Sequence, residues 1–556
     1  MTFWEHFLRL LPHKPVPALA ALYWHLTGRK LRARNRLRVA SADLDFPYTV
    51  WIEQRERTVE RVDEFREAMA KWGRKPSFAV LLHSSGSYRP DQLQRSIASL
   101  ERQIYPIREH TQASAASIDG ALDGLTADFV VPLHIGDLLS ETALFRFAEA
   151  MQSNPSSKIF FGDHDHLDEQ GRRRRPWFKP RWNEEMFLAQ DYLSAAVAID
   201  GGLARTVAST AVSLDALLLA ATALVGEDIV HVPHILCHVA TAPESRQDRL
   251  EAVRQHVQPL GATCTPGPFG TTKVQWPLPS GLPLVSIIVP TRDKLELLQP
   301  CIQGLLERTD YANFEVVIID NESVEQRTRA YLAEVVRDPR VRVLPFPGGF
   351  RFGAMNNHAA GQARGDFICL LNNDTEIIDA DWLTQLMRYA VRPEVGAAGA
   401  KLLYDDGSIQ HAGVIVGIGG AAGHAHRSLP DDHPGYFRQA HVAQFVSAVT
   451  AACLVVDKRK FIAVGGLDEA ELPVAFNDVD LCLKLQKAGW RNVYVPHAVL
   501  LHHESKSRGS DMLRRNIDRF RREERVLQER WGTRNYSDPL LNPNLDPATE
   551  TFVIRL

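Results

Sequence analysis

The sequence has no paired cysteines, no long apolar run and no excess of basic charge. Its six cysteines are scattered without a C-x-x-C pair and lie mostly inside apolar runs, which indicates buried thiols of a reducing compartment rather than disulfides or zinc ligands. No stretch reaches the roughly 18 to 20 apolar residues that a membrane-spanning helix requires. The formal net charge of −3 gives no global reason to expect nucleic-acid binding, which needs a basic surface.

The first residues also lack the pattern of a secretory signal peptide. Glu5 and His6 interrupt the apolar stretch, and no small-residue cleavage site follows it. Together with the cysteine pattern, this predicts a cytoplasmic protein. The chain has 556 residues, 45% of them hydrophobic and 24% charged, which is typical of a globular protein with two or three domains.

The N-terminal segment has a bias of its own. Aromatic residues and leucines dominate its first 24 positions, and six basic residues follow between positions 29 and 38. The pattern predicts a helical, basic arm over residues 1–75. Residues 1–38 fit two interpretations: peripheral contact with the anionic inner face of the cell membrane, or a helix that packs on the body of the protein with a solvated basic face.

Two later segments look like copies of one domain. A strand followed by an amphipathic helix begins near Ser77 and again at Leu284. Residues 127–137 align with 365–375, and 230–234 with 493–497. The sequence therefore predicts two tandem, doubly wound, mixed α/β sheets. We place their boundaries at 76–262 and 284–510, with a Pro- and Gly-rich linker at 263–283 that discourages regular structure, and a helix and tail at 511–556.

The first copy is predicted to be degenerate. Its alignment puts Gly136 opposite Asp374, so that an acid is displaced to Asp137 or lost, and it puts Asp215 opposite Asp478. The short polar stretch after Tyr105 leaves no room for a counterpart of the strand at 314–320. We therefore expect no chemistry in this copy. Two further acids at 163 and 165 are interpreted either as metal ligands or as caps of a turn after a strand.

The most informative segment is Gly365–Asp374, where a buried apolar run ends on Asn372, Asn373 and Asp374. At the carboxyl edge of a parallel strand, these groups could hold a divalent metal, Mn²⁺ or Mg²⁺. Mg²⁺ typically takes one or two carboxylates together with phosphate oxygens of a substrate. The sequence thus predicts an activated, phosphate-bearing ligand.

Other polar groups follow predicted strands of the second copy. Pro290 and Thr291 end the first strand and Asp320 ends the second, where a nucleotide would lie in a doubly wound sheet. Asp320 equally fits a helix cap. The loop at 347–357 has glycines without the G-x-G-x-x-G spacing, but its Asn356 could contact phosphate or sugar.

Three groups near the end of the second copy complete the candidate site. Asp478 and Asp480 open an amphipathic helix, either as capping residues or, for Asp478, as a general base. His502 or His503 could complete a metal shell, or both could be structural. Two cations that could neutralise a leaving diphosphate follow them, Lys506 and Arg508.

In combination, these motifs resemble the GT-A fold of glycosyltransferase family 2. The second copy is more closely similar to tandem-domain members from bacterial surface-polysaccharide clusters, including rhamnosyltransferases. The resemblance spans residues 284–510 strongly and 77–240 weakly. The segments that carry the closer similarity are Gly396–Tyr404, Ile409–Gly413, Gly423–Arg427 and His502–Gly509.

This resemblance implies an inverting transfer of a sugar from a nucleotide-diphosphate sugar to a hydroxyl of a glycan or lipid-linked acceptor. Thr291 and Asp320 match nucleotide-binding positions of the family, and Asp374 matches the last acid of its Asp-x-Asp metal motif. Asp478 and, second, Asp480 match the catalytic base, and one of the two neighbouring histidines matches a metal or diphosphate ligand. The sequence departs from the family at Asn372, which replaces the first acid of the metal motif and brings no charge.

Two alternatives remain at this point. The degenerate first copy and Asn372 favour a non-catalytic tandem pseudo-transferase that binds sugars or organises a polysaccharide-assembly complex, whereas the retained acids disfavour it. A nucleotidyltransferase would need a basic, Gly-rich phosphate loop after the first strand, and residues 290–293 are poor in glycine.

Overall fold

The computed structural model describes residues 1–27, 30–56, 61–84, 86–114, 118–209, 211–240, 246–503 and 516–556. The predicted sites at Lys506 and Arg508 lie outside these described residues. The N-terminal arm is helical, as predicted. Its helices are α1 (Phe3–Leu10), α2 (Pro15–Leu26), α3 (Lys30–Ala40), α4 (Phe46–Arg55) and α5 (Val62–Ala70).

The first domain contains eight strands in one sheet. Its elements are β1 (Phe78–Ser84), α6 (Pro90–Glu101), β2 (Glu109–Ser114), α7 (Ile118–Asp123), β3 (Phe129–His134), β4 (Leu138–Leu139), α8 (Ala143–Ser153), β5 (Ile159–Leu167), β6 (Arg173–Trp177), α9 (Glu184–Ala189), β7 (Val197–Asp200), α10 (Gly201–Ala208), α11 (Leu214–Val225), β8 (Ile229–Val239) and α12 (Arg246–Val257). A hairpin of β9 (Thr263–Pro266) and β10 (Thr272–Gln275) follows.

The second domain is built on a ten-stranded sheet. Its elements are β11 (Val285–Thr291), α13 (Leu295–Arg308), β12 (Phe314–Asp320), α14 (Gln326–Val335), β13 (Val341–Pro345), α15 (Phe352–Gln362), β14 (Phe367–Leu371), β15 (Thr375–Ile377), α16 (Trp382–Ala390), β16 (Val395–Leu403), β17 (Ile409–His411), β18 (Val414–Val416), β19 (Ala422–His424), β20 (Gln444–Val446), β21 (Cys453–Asp457), α17 (Lys458–Ala463), α18 (Asn477–Lys487) and β22 (Arg491–His502). The short strands β18 and β19 pair with each other outside that sheet. The chain ends with α19 (Ile517–Trp531) and a tail.

The two sheets share one topology, which confirms the predicted tandem α/β fold. The first runs β2-β1-β3-β7-β5-β8-β4. The second runs β13-β12-β11-β14-β21-β16-β22-β15, and its order from β12 to β15 matches that of the first. The pairings agree in direction as well: for example, β1 is parallel to β2 and β3, as β11 is to β12 and β14, and β7 and β21 are both antiparallel insertions. The chain therefore carries the same strand plan twice.

One prediction about the first copy is wrong. We expected no counterpart of β12, yet β2 pairs in parallel with β1 as β12 does with β11. The segment Glu109–Ser114 is polar and has no apolar run because it forms the edge of its sheet, so periodicity alone does not reveal it. Within the described residues, what the first sheet lacks is a strand beyond β2 equivalent to β13.

The segment at 263–283 was expected to lack regular structure, but it forms the β9–β10 hairpin. The hairpin is followed by Trp276, which is buried and lies under the guanidinium of Arg392, 4.0 Å from the ring centroid to Cζ. The Trp276 indole N–H donates to Glu185 of the first domain. This segment therefore bridges the two domains rather than merely joining them.

The acids at 163 and 165 do not cap a turn, because β5 continues through both to Leu167. Both are fully buried. Asp163 accepts from Asn542 Nδ2 of the tail at 2.9 Å, and Asp165 accepts from Tyr48 of the arm at 2.5 Å. They hold the arm and the tail against the first domain.

The C-terminal helix packs against the second domain. In α19, Glu523 and Leu527 are fully buried, and Arg530 pairs with Asp480 at 2.9 Å and Asp468 at 2.8 Å. A shared apolar cluster joins the arm, both domains and the tail. Among the helices of the described ranges, none is both long and apolar enough to cross a lipid bilayer.

Candidate active site

A cavity of about 460 Å³ lies at one edge of the second sheet. The strands β11, β14 and β22 end there, whereas β21, which runs antiparallel to β14, begins there. Helix α18 starts at the same edge, and β17 to β19 cover it. The predicted residues that line the cavity are Pro290, Thr291, Asn372, Asn373, Asp478 and His502.

Asp374 is not itself among the residues that line the cavity, but it contacts His502, which is. The pairing of β15 with β22 puts Thr375 opposite His502, which fixes the neighbouring Asp374 beside the imidazole. The Oδ1 atom of Asp374 lies 3.1 Å from Nε2 of His502, and the Nδ2 atom of Asn372 lies 3.1 Å from the same nitrogen. Asp374 is only 2% exposed. The acid and one of the two predicted imidazoles therefore do meet.

The orientation of His502 suits a metal ligand. Its Nδ1 lies 2.6 Å from the carbonyl oxygen Oε1 of Gln410, so that Nδ1–H donates and the lone pair of Nε2 faces Asp374. Metal-bound histidines are commonly fixed by such a bond from the other ring nitrogen. Among the described residues, no three His, Cys, Asp or Glu side chains gather as a metal-binding group. The protein would thus contribute two ligands to a metal, and the oxygens of a bound diphosphate would supply the others.

Asp478 stands on the opposite wall, in the first turn of α18. Its Oδ2 accepts from the backbone N–H of Ala451 at 3.1 Å, and its Oδ1 accepts from that of Val479 at 2.9 Å. The preceding Phe476 has a left-handed backbone with φ of 60°, an uncommon conformation for a bulky residue and one often found at functional sites. These bonds hold the carboxylate in one orientation, and Asp478 remains partly exposed at the cavity wall.

Thr291 and Asn373 form the floor near β11. Asn373 Nδ2 donates to Thr291 Oγ1 at 3.0 Å, and both side chains are nearly buried. Arg292 follows at the rim and is exposed. These groups offer amide, hydroxyl and guanidinium contacts at a strand end, the position at which open α/β sheets bind nucleotides.

Four predicted residues are placed elsewhere. Asp320 accepts from the backbone N–H of Ser323 at 3.0 Å, within the loop before α14, and the residue at the N-cap of that helix is Glu325. Asn356 is fully buried in α15 and donates to Phe352 O. Asp480 is fully buried and bonded to Arg530 and to the indole N–H of Trp531, each at 2.9 Å. His503 points away from His502 and contacts Asp405 and Glu376. The structure brings none of the four into the cavity lining.

Several lining residues had no role in the sequence prediction. They include Gln410, His424 and Arg427, which lie in segments that carried the family resemblance without an assigned function. His424 is bonded to His411 through their Nδ1 atoms at 2.9 Å. Burial, aided by the neighbouring His424 and His502, lowers the pKa of His411 well below its usual value. The imidazole cluster beside the cavity therefore contains a neutral His411.

At the equivalent edge of the first domain, the acid and the imidazole have different partners. The pairing of Leu138 with His238 corresponds to that of Thr375 with His502, so Asp137 occupies the place of Asp374. The first domain thus has one more residue before this position than the second domain has. Gly136, whose φ of 109° suits glycine, lies at that insertion. However, Asp137 accepts from the backbone N–H of Ala240, and His238 bonds to Asp165 instead.

Comparison with known proteins agrees with the geometry. Residues 286–423 match the family model "Glycosyl transferase family 2". The chain is 38% identical over 470 residues to "Uncharacterized protein y4gI" of Sinorhizobium fredii, covering 80% of this chain and 52% of that protein. It is 32% identical over 523 residues to "O-antigen biosynthesis protein RfbC" of Myxococcus xanthus, covering 84% of this chain and 40% of that protein.

A third relative matches a shorter part of the chain. It is the "N-acetylglucosaminyl-diphospho-decaprenol L-rhamnosyltransferase" of Mycobacterium tuberculosis, 29% identical over 259 residues, which amount to 41% of this chain and 78% of that protein. The chain spans only about half the length of the first two relatives. The family match includes Thr291, the last residue of β11, and Asn372 and Asp374, which follow the end of β14. The second domain therefore carries the sequence pattern of glycosyltransferase family 2 over residues 286–423.

Proposed function

We propose that the second domain transfers a sugar from a nucleotide-diphosphate sugar to an acceptor hydroxyl in polysaccharide biosynthesis, with inversion at the anomeric carbon. The observation that carries this proposal is the convergence on one cavity of Asp478 with the pair Asp374–His502. Asp374 lies more than a hundred residues before both Asp478 and His502 in the sequence. A glycan or lipid-linked glycan is the acceptor class that the relatives' names suggest.

Asp478 is the general base of the proposed reaction. Its carboxylate takes the proton of the acceptor hydroxyl as that oxygen forms a bond to the anomeric carbon. The bond from the anomeric carbon to the diphosphate oxygen breaks in the same step, and the nucleoside diphosphate leaves. Because the attack and the departure occur on opposite faces, one displacement inverts the anomeric centre. The backbone bonds from Ala451 and Val479 keep the carboxylate aimed.

Asp374 and His502 are the residues that would hold a divalent metal, Mn²⁺ or Mg²⁺. When bound, such a metal supplies positive charge that stabilises the leaving diphosphate. Gln410 fixes the tautomer of His502, and Asn372 places an amide beside it. Arg292 at the rim adds a second positive charge for the phosphates. Lys506 and Arg508 remain predictions for the same role.

A panel of nucleotide sugars tests this assignment. We expect at least one UDP-, GDP- or dTDP-linked sugar to raise the melting temperature of the full chain in the presence of Mn²⁺, by more than Mn²⁺ alone. A ligand at 100 times its Kd stabilises the folded state by about 2.7 kcal/mol. The free nucleoside monophosphates, which lack the diphosphate, serve as controls. If every sugar donor leaves the melting temperature where Mn²⁺ alone puts it, the proposal fails.

We also propose that the arm contacts the membrane surface peripherally. In α1, α2 and the short turn between them, six large apolar side chains are half or more exposed: Trp4, Leu8, Val16, Leu19, Tyr23 and Leu26. Exposed basic side chains of α3 lie next in the chain, including Lys30, Arg34 and Arg36. An apolar surface beside positive charge is the pattern that binds an anionic bilayer. Such contact would bring the cavity to lipid-linked acceptors.

Co-sedimentation with vesicles checks this proposal. We expect the chain to bind phosphatidylglycerol vesicles, to bind phosphatidylcholine vesicles less, and to be released by salt. The double variant Leu8→Ser and Leu19→Ser should lose binding. Leu224→Ser, which removes a leucine of similar exposure in the first domain, is the matched control. Equal sedimentation of both variants would contradict the arm's role.

A further inference from the structure

The β18–β19 wall, residues 414–427, covers one side of the active-site cavity. Five of its residues line the cavity: Val414, Ala422, Gly423, His424 and Arg427. The strands β18 and β19 have three residues each and pair with each other outside the ten-stranded sheet. Two strands by themselves are at best marginally stable in water. The position of the wall therefore depends on contacts with other parts of the chain.

The C-terminal tail, residues 532–556, makes such contacts with both strands of the wall. The Oδ2 atom of Asp538 accepts from the backbone N–H of Val416, the last residue of β18, at 2.7 Å. The Oε1 atom of Glu550 accepts from that of His424, the last residue of β19, at 3.2 Å. The backbone oxygen of Glu550 accepts from the N–H of His426 at 3.1 Å. Each strand of the wall therefore ends on a carboxylate of the tail.

The contact at Glu550 is close as well as hydrogen-bonded. A methyl group on Gly423 would lie 2.8 Å from Oε1 of Glu550 and 2.9 Å from Cγ2 of Ile418, so this part of the wall has room only for glycine. Two residues beyond Glu550, the ring of Phe552 stacks on that of His426, with centroids 4.7 Å apart and an interplanar angle of 24°. The segment that lines the cavity from Gly423 onward therefore lies directly on the tail.

The tail is in turn held by the first domain. The Nδ2 atom of Asn542 donates to Oδ2 of the buried Asp163 and to the backbone oxygen of Lys179, each at 2.9 Å. The Nδ2 atom of Asn544 donates to the backbone oxygen of Pro233 at 3.0 Å. The first domain is thus connected through the tail to the wall of the cavity in the second domain. This gives the first domain a role in the site that requires no chemistry of its own.

The wall lies on the side of the cavity away from the expected nucleotide position. Thr291 and Asn373 form the floor at the end of β11. His424 bonds to His411 of β17, and β17 pairs with β16. In the sheet, β16 is three strands from β11, a distance of about 14 Å at roughly 4.8 Å per strand. With a sugar donor on the floor, the wall faces the space that remains for the acceptor.

We propose that Glu550 is a positioning residue of this active site, which holds the backbone of His424 and so sets the β18–β19 wall against the acceptor. Glu550 is not among the residues that line the cavity, so it acts through His424 and not on the acceptor itself. The part of the proposal that concerns the acceptor rests on the proposed function of the second domain. The support of the wall by the tail does not.

Glu550→Ala tests the proposal by two rates measured with the same sugar donor. The first is transfer to p-nitrophenyl glycosides of D-glucose, D-galactose, D-mannose, L-rhamnose and N-acetyl-D-glucosamine. The second is hydrolysis of the donor without an acceptor, in which water takes the place of the acceptor hydroxyl. We expect kcat/KM for the acceptor to fall about tenfold, the effect of one lost hydrogen bond, through a higher KM. Hydrolysis and the Kd of the donor should not change.

Two variants are matched to Glu550→Ala. Glu550→Gln keeps an oxygen that can accept from the His424 N–H, so it should restore transfer. Glu529→Ala removes an exposed carboxylate near the end of α19 and should transfer as the unaltered chain does. A Glu550→Ala protein that loses transfer and hydrolysis together has a general structural defect, and one that loses neither does not need this bond. Either result, or a Glu550→Gln protein as impaired as Glu550→Ala, overturns the proposal.

Hydrogen exchange tests the support of the wall without any substrate. In Glu550→Ala, the amides of residues 422–427 should exchange faster than in the unaltered chain and in Glu529→Ala, while those of β14 keep their rates. If no donor is transferred by the unaltered chain, the proposed function fails, whereas this comparison still decides whether Glu550 holds the wall. Equal exchange of residues 422–427 in Glu550→Ala and Glu529→Ala would show that it does not.

The exchange of β14 also reports whether Glu550→Ala is folded. If β14 loses its protection, Glu550→Asp takes the place of this variant. Aspartate keeps the charge but is one methylene shorter, which withdraws the carboxylate from the His424 N–H. The same pattern is expected, with a smaller rise in the KM of the acceptor and unchanged hydrolysis. Transfer and exchange equal to those of the unaltered chain would contradict the role of this bond.

Discussion

Replacing Asp478 by asparagine is expected to abolish sugar transfer while leaving binding of the sugar donor nearly unchanged. The amide has nearly the same shape, and its single oxygen can keep the bond from the Ala451 N–H at the expense of that from Val479, but it cannot take a proton from the acceptor hydroxyl. Loss of a general base typically costs about 10²- to 10⁴-fold in rate. Initial rates of transfer and calorimetric titration of the sugar donor measure the two properties separately.

The matched control is Asp518→Asn, which changes an exposed acid in the first turn of α19. Both variants remove one carboxylate from the start of a helix, so a general effect of charge or helix stability should be equal in the two. Only Asp478→Asn should lose transfer. An Asp478→Asn protein that keeps about a tenth of normal activity would remove this residue from the role of base.

Replacing Asp374 by alanine is expected to remove the contribution of Mn²⁺ to binding of the sugar donor. The change deletes the carboxylate that faces Nε2 of His502 and leaves the imidazole and Asn372 as the remaining neighbours. Even partners outside the direct ligand shell cost about 10- to 100-fold in metal affinity when removed. Titration of the sugar donor with and without Mn²⁺ should therefore show a metal effect in the unaltered chain and none in the variant.

Asp405→Ala is the control for this variant. Asp405 contacts His503, the neighbour of His502, so its removal loosens the adjacent imidazole but spares the Asp374–His502 pair. Because Asp374 is buried, its replacement by alanine could disturb folding. Asp374→Asn removes the charge but preserves the volume of the side chain, and it therefore serves as a second variant. An Mn²⁺ effect that survives in both Asp374 variants would exclude this residue as a metal ligand.

The fold was predictable from the sequence because repeated apolar runs carry most of it. β11 and β14 are buried at every position, and their polar ends are visible as Thr291 and Asn372–Asp374. β2 was not predictable by the same means, since an edge strand such as Glu109–Ser114 needs no apolar face. The β9–β10 hairpin was hidden by its prolines and glycines, which occupy the turn and its flanks.

The choice between the two histidines follows from strand geometry that the sequence alone did not fix. Side chains alternate across a strand, and in β22 Leu500 and His502 face the buried side. His503 must then face the other way, where it contacts Asp405. The phase of this alternation cannot be read from the residues alone, so either imidazole was a candidate.

Asp480 illustrates a different limit. Residues two apart on a helix do not face the same direction, so Asp478 and Asp480 could not both point into the cavity. Which one does so depends on contacts made fifty residues later, where Arg530 and Trp531 bind Asp480. The cavity lining from Gln410, His424 and Arg427 is likewise set by the β17–β19 layer, whose short strands leave no clear periodicity.

The most direct test of the shared site is to measure Asp478→Asn and Asp374→Ala side by side on one sugar donor that the unaltered chain uses. The measurement is the Kd of that donor in Mn²⁺ together with the rate of transfer. The two variants should separate: the first binds the donor and does not transfer, and the second loses the metal-dependent binding. If both variants bind and transfer as the unaltered chain does, the two acids do not form one active site.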